Sequence, residues 1–204
     1  MASNYEIMRD TMRMKFLEAD QDRIMRTFSL AGDGNHIMLR FLGDDVRIIR
    51  STGIVEILFR GEWAPAGFDD SMSVYDLLCF SDHPVIPSGE YVNLTSLAAL
   101  SGAAFSHTGR RFFAKEEKSL AGRPQALKDI FEKHGWEPEA RSDAGCVIPV
   151  FSGLKTILRF WDEDEDFPAM LDFLWDRSVL EMMHYETVWF ASSSIVRRIM
   201  DDLD

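Results

Sequence analysis

Between residues 145 and 176 the chain reads GCVIPVFSGLKTILRFWDEDEDFPAMLDFLWD, and no other stretch constrains the fold as tightly. Residues 146–151 form a short apolar run closed by Ser152 and Gly153. Residues 154–161 are rich in β-branched and aromatic side chains, which suit a pleated, half-buried surface. Both read as strands. A third strand, residues 169–175, follows the polar segment 162–168, so the last two are expected to pair as an antiparallel hairpin with an acidic connection. The expectation is an α+β fold: a mixed, mostly antiparallel sheet with helices packed around it.

The rest of the chain supplies the helices and an outer sheet region. Ser3 or Asn4 can cap a helix that presents Ile7, Met8, Met12 and Phe16, and a second helical piece covers residues 20–28. Strands at 36–42, 46–50 and 54–59 are separated by short turns, the pattern of an antiparallel meander. After a loop at 61–67, Asp69, Asp70 and Ser71 offer caps to a helix through Val74, Leu77, Leu78 and Phe80. Residues 84–91 read as extended with a Ser88-Gly89 turn, and short helices are expected at 95–100, at 110–120 and after Pro124. A terminal amphipathic helix begins near Glu186 or Thr187 and carries Ile195, Val196, Ile199, Met200 and Leu203 at helical spacing. No repeat or compositional shift divides the 204 residues, and a chain of this length with 46% hydrophobic content fits a single domain.

Charge narrows the partners. A net charge of -12 and dispersed basic pairs make the surface a poor match for phosphate backbones, so nucleic acid is not an expected partner. No apolar stretch approaches the roughly 20 residues that span a bilayer, and the first ten residues lack the pattern of a signal peptide. With Cys79 and Cys146 far apart inside apolar runs, buried thiols in a reducing compartment are expected, and hence a cytoplasmic location without a membrane partner.

Candidate chemistry is sparse. The Gly-x-Gly at residues 32–34 follows a helix and precedes a strand, the reverse of the order that binds phosphate, so it is set aside. The acidic run 162–166 offers Asp162, Asp164 and Asp166 at alternate positions, the oxygen-rich spacing that hard cations prefer. Phe167 and Phe173 occupy the places where an EF-hand needs glycine and glutamate, so a solvated hairpin tip is the preferred reading. Five histidines show no zinc-type spacing. Asp176, His184 and Glu186 flank the connection after the last strand and form the acid–imidazole grouping to watch, with Asp176 orienting His184 as a general base; the preferred reading is that Asp176 bonds turn amides and Glu186 favours the N-terminus of the last helix through its dipole. Tyr91, Trp161 and Asp176 are the candidate ligand contacts, while most other aromatic residues should be core. The serines at 192–194 lie in a predicted helix, not at a nucleophile elbow, and read as a packing face.

An ordered set of segments resembles a known family. It comprises Asn4-Tyr5-Glu6, the turn Phe41-Leu42-Gly43, the helix through Val74 to Phe80, and Ser88-Gly89-Glu90-Tyr91. It continues with Ile148-Pro149-Val150-Phe151, the block from Trp161-Asp162 to Phe167-Pro168, Leu174-Trp175-Asp176 and Tyr185-Glu186. Together they resemble the prokaryotic domain of unknown function 3786 family. The resemblance implies an α+β domain without an established activity, in which some relatives look like accessory proteins linked to iron–sulfur modules or to corrinoid metabolism. This chain lacks a cysteine-rich extension, so a partner would have to carry such a cluster. The residues themselves name no cofactor.

The leading expectation is therefore a binding or accessory module for a small molecule or a protein partner, with a homodimer as one assembly. Its recognition surface is expected at residues 84–94 and after Asp176. The alternative is a hydrolase-like or metal-dependent enzyme that uses Asp176 with His184, or the carboxylates Glu165 and Asp166 of the acidic loop.

Overall fold

The structure is a computed structural model that describes residues 3–59, 61–102 and 112–203. The α+β architecture is present, and among the described residues the strands form two antiparallel sheets of five. The first is a meander in chain order: β1 (Ala31–Gly32), β2 (His36–Phe41), β3 (Asp44–Ile49), β4 (Val55–Phe59) and β5 (Glu62–Pro65). The second has the order β6-β10-β9-β8-β7, with β6 at Tyr91–Asn93, β7 at Glu137–Glu139, β8 at Ala144–Phe151, β9 at Leu154–Trp161 and β10 at Met170–Asp176. The expected hairpin of the last two long strands is β9–β10, in register from Met170 opposite Trp161 to Trp175 opposite Thr156. Strands β1, β5, β6 and β7 fall outside the expected set; each has four residues or fewer, too few for an alternating pattern to show.

Two hairpin turns are built alike. Leu42 and Gly43 have φ of 55° and 93°, and Ser152 and Gly153 have φ of 45° and 92°. Positive φ at both central residues is the turn geometry that matches strand twist. Leu42 adopts it at a steric cost, which its surroundings offset. Its side chain is buried, its N–H donates to Val150 O at 3.1 Å, and its carbonyl accepts Trp136 Nε1 at 3.2 Å. The β2–β3 turn thereby joins the first sheet to β8 of the second.

The helices enclose these sheets. Helix α1 (Asn4–Glu18) starts with a capping box in which the Ser3 hydroxyl accepts from Glu6 N and the Glu6 carboxylate accepts from Ser3 N. Helix α2 (Gln21–Phe28) is capped by Asp20. Helix α3 (Phe68–Cys79) runs between α1 and the long C-terminal α8 (Tyr185–Leu203), and Ser71 through Leu78 are all buried. It begins earlier than the sequence suggests: its cap is Gly67, and Asp69 and Asp70 belong to its first turn. Shorter helices α4 (Leu94–Ser101), α5 (Ala114–Leu120), α6 (Pro124–Lys133) and α7 (Val179–Met182) connect the layers; the start expected for α5 at Arg110 lies outside the described residues. The serine packing face is real, with Ser192 and Ser194 fully buried and Ser192 Oγ accepting from Trp175 Nε1 at 3.2 Å. Among the described residues no helix is long and apolar enough to cross a membrane.

Gly53, in the turn before β4, has φ of 72°, and a Cβ there would stand 2.9 Å from Arg13 Cγ of α1. Its carbonyl accepts the Tyr75 hydroxyl at 2.6 Å. Gly53→Ala is expected to lower stability by about 1–3 kcal/mol in urea unfolding; an unchanged midpoint would show that α1 is not clamped to this turn.

Candidate ligand site

Asp176 ends β10 and is fully buried. Its Oδ1 accepts from Ser88 N at 3.0 Å, Ser88 Oγ at 2.7 Å, Ser178 N at 2.9 Å and Ser178 Oγ at 2.7 Å, while Oδ2 accepts from Gly89 N at 2.8 Å. Burial pushes this carboxyl up, but the hydrogen bonds from Ser178 and Ser88 outweigh it and hold the carboxyl below its ordinary value. Asp176 thus fastens the Ser88-Gly89 turn to the β10–α7 connection. It does not pair with His184, as the sequence spacing suggested.

The carboxylate that meets His184 is Asp76, from the last turns of α3. Its Oδ2 accepts from His184 N at 2.7 Å, and its Oδ1 lies 2.9 Å from His184 Nδ1. Asp76 is buried and the imidazole is 54% exposed, with its ring edge against Phe80. The carboxylate thus fixes the ring by its Nδ1 side. The pair also joins the start of α8 to α3, because His184 O accepts from Thr187 N and Val188 N. Glu186 stands exposed in the first turn of α8, and no bond joins it to His184 or Asp176.

The remaining candidates are dispersed. Tyr91 lies opposite Asp176 at one end of β10, and Trp161 lies opposite Met170 at the other, a separation of about 20 Å along a strand. Burial and the nearby Asp176 charge push the Tyr91 hydroxyl up. In the acidic loop, Asp162 Oδ1 accepts from Gly122 N and Glu163 N, and Asp164 Oδ1 accepts from Asp166 N and Phe167 N. These carboxylates shape the turn, and among the described residues no group of three or more His, Cys, Asp or Glu converges in the manner of a metal site.

Two cavities flank the chain where β5 passes into α3. The first, about 360 Å³, is walled by Arg9, Asp10 and Arg13 of α1, Ile54 and Val55 at the start of β4, Pro65 and Ala66, and Ser71 and Tyr75 of α3. The helix spacing of four puts Arg9 and Arg13 on one face of α1. Arg13 is held by Nη1 donating to Thr52 O at 3.0 Å, with Asp10 3.4 Å from its Nε. Ser71 Oγ donates to Ala66 O at 3.3 Å. Burial pushes the Tyr75 phenol up to about 12 despite the opposing fields of Arg13 and Arg9, so it remains a neutral donor at neutral pH.

The second cavity, about 330 Å³, includes Asp44, Asp70, Asp201, Asp202, His134, Arg197 and Arg198 in its walls. Its charges are largely committed to one another. Arg198 Nε donates to Asp44 Oδ2 at 2.9 Å and Nη1 to Asp70 Oδ1 at 2.8 Å, Arg197 also pairs with Asp70, and Asp202 Oδ2 lies 2.8 Å from His134 Nε2. This is a clamp that ties α8 to α3, β3 and the end of α6, whereas the first cavity keeps more of its polar lining free of such pairs. Sequence reading missed Arg9, Arg13, Tyr75 and Asp76; the roles of the last two depend on non-local partners, and only the four-residue spacing of Arg9 and Arg13 offered a signal that could have been read.

The fold and cleft define a class: an α+β domain of two antiparallel sheets wrapped by helices, with a polar cleft where α1 and α3 meet the first sheet. The chain belongs to the family described as Domain of unknown function (DUF3786), whose model matches residues 20–198. The match takes in the sheet and α3 walls of the cleft and begins after Arg9 and Arg13; Asn4-Tyr5-Glu6 also lies outside it. No curated protein matches the chain, and no solved structure does.

A carboxyl whose folded pKa lies below its unfolded value contributes stability that is present above the unfolded value, near 4, and lost as pH falls through the folded one. Asp176→Asn should therefore destabilise the protein at pH 7 by about 1–3 kcal/mol. It should also flatten the fall in stability below about pH 4. Urea unfolding from pH 2 to 7 checks both; parallel wild-type and variant profiles would mean that Asp176 does not carry this dependence.

Proposed function

We propose that this protein is a binding module, and that its ligand is a small molecule seated in the cleft between α1, α3 and the β4–β5 hairpin. The observation that carries this reading is the cleft itself. Three separate elements wall a space of about 360 Å³, within the range of small-molecule sites, and Tyr75 and Ser71 present polar atoms whose positions are fixed by the turn and loop they bond. The surface at residues 84–94 is a weaker choice, because Asp176 is already bonded to that segment.

The same reading places the protein in the cytoplasm. Burial pushes the Cys79 thiol up to about 11 and raises Cys146 further, and both are free thiols, a state that suits a reducing compartment. A link to corrinoid or iron–sulfur metabolism would run through a protein partner that carries the cofactor. A homodimer is compatible with the cleft.

Native mass spectrometry of the purified protein tests the proposal. A small-molecule adduct is expected on the wild type and is expected to vanish in Ile54→Trp, which fills the cleft from a partly exposed position. An adduct retained in full by that variant, with its melting temperature unchanged, would place the ligand elsewhere and end this reading.

One observation favours a second reading, an enzyme. Buried Asp76 holds Nδ1 of His184 while the imidazole stays 54% exposed, an arrangement that suits a general base. If so, hydrolysis of a panel of nitrophenyl esters should be lost in His184→Gln and kept in Asp176→Asn. Activity that survives His184→Gln would remove that reading.

A further inference from the structure

We infer that the cleft takes a small organic oxyanion, a carboxylate or a phosphate monoester with a short apolar body, and that Arg9 is its principal contact. This rests on the cleft being the ligand site, and it adds the ligand's charge class.

The first argument is local charge. The chain carries a net charge of -12, so its surface as a whole repels anions. The cleft departs from that background: its lining contains Arg9 and Arg13 against Asp10 alone, a formal balance of +1. Asp10 lies beside Arg13, and its side chain is 56% exposed. An organic cation would meet two guanidinium groups and a carboxylate that already has a partner.

The second argument is the state of Arg9. It is half-buried, lines the cleft, and has no hydrogen-bond or ion-pair partner among the described residues. Every other arginine in the two cavities is bonded: Arg13 to Thr52 O, Arg197 to Asp70, and Arg198 to Asp44 and Asp70. The Arg9 donors are open to solvent and unused by the described residues, so a bound oxyanion can take them in paired charge-assisted hydrogen bonds without breaking any contact of the fold. Arg13, already positioned by Thr52, supplies a second positive charge from the same helix face. Tyr75 lines the same cleft, and its hydroxyl feels the charges of Arg13 and Arg9 with that of Asp10 opposing them. Ile54, Pro65 and Ala66 offer an apolar wall to the rest of the ligand.

The test titrates isotope-labelled protein with benzoate, with phenyl phosphate and with uncharged benzamide, following the Arg Nε–H and backbone amide NMR signals. Benzoate, phenyl phosphate or both are expected to shift the Arg9 signal and those of α1 and α3, and benzamide to bind at least tenfold more weakly. Arg9→Gln should weaken anion binding about tenfold or more. Arg26→Gln, which removes the same charge from an exposed site on α2, should leave it unchanged. The ratio of the two anions separates a carboxylate from a phosphate ligand. Equal binding of benzamide and benzoate would overturn the inference while leaving the cleft as the ligand site. Equal losses in the two variants would also overturn it, since the effect would then be that of net charge. Silence toward both anions overturns the anion class, whereas the cleft reading is decided separately by the Ile54→Trp adduct. Arg9 has no hydrogen-bond or ion-pair partner among the described residues, so its substitution should not disturb the fold, and an unchanged melting temperature confirms this.

Discussion

A buried guanidinium holds the helical layer to the sheet. Arg198 is 9% exposed and bonds Asp44 of β3, Asp70 of α3 and the Ser194 carbonyl of its own helix. Burial pushes Arg198 down, while the Asp70 and Asp44 charges push it up and prevail, so the ion remains charged inside the protein. Against well-packed apolar residues such a cluster adds little net stability, but leaving one member unpaired would be expensive. Its effect is therefore one of position: α8 cannot slide along α3 without stranding a charge. The register of α3, and with it the placement of Tyr75 and Asp76, depends on this contact.

From that register the cleft follows. Helix α3 is buried along most of its length, and it carries Tyr75 toward α1 while Asp76 faces the start of α8. Adjacent residues on a helix point about 100° apart, so one helix serves two sites on different sides. The phenol bonds the Gly53 carbonyl because Gly53 brings the turn close to α1, where a side chain would collide with Arg13. The cavity is thus what remains where a helix, a turn and a hairpin meet around a hydroxyl that has already found its partner.

Hydrophobic pattern made the long elements legible. β8, β9 and β10 bury alternate residues or continuous apolar runs, and α6 and α8 carry apolar side chains at helical spacing. The short edge strands were not legible: β5 and β7 contain proline and polar residues and exist because a neighbour supplies the ladder. The candidate site shows the same division. Asp176 was recognisable as a turn-binding carboxylate at a strand end, yet its partners Ser88 and Gly89 lie 88 and 87 residues away. His184 was singled out for an acid partner, and the structure provides one 108 residues distant in sequence in place of the near one.

By itself, then, the sequence determined the α+β class, the antiparallel hairpin of β9 and β10 and the strongly acidic balance of the chain. Those properties follow from local periodicity and composition, which act over a few residues. Tertiary structure alone decided the split into two sheets, the choice of Asp76 as the carboxylate for His184, and the use of the acidic loop's carboxylates as backbone caps. It also decided that Arg9 lines a cleft with no partner among the described residues. Each of these depends on which distant groups become neighbours when the core excludes water, and pairing across that distance leaves no periodic trace along the chain.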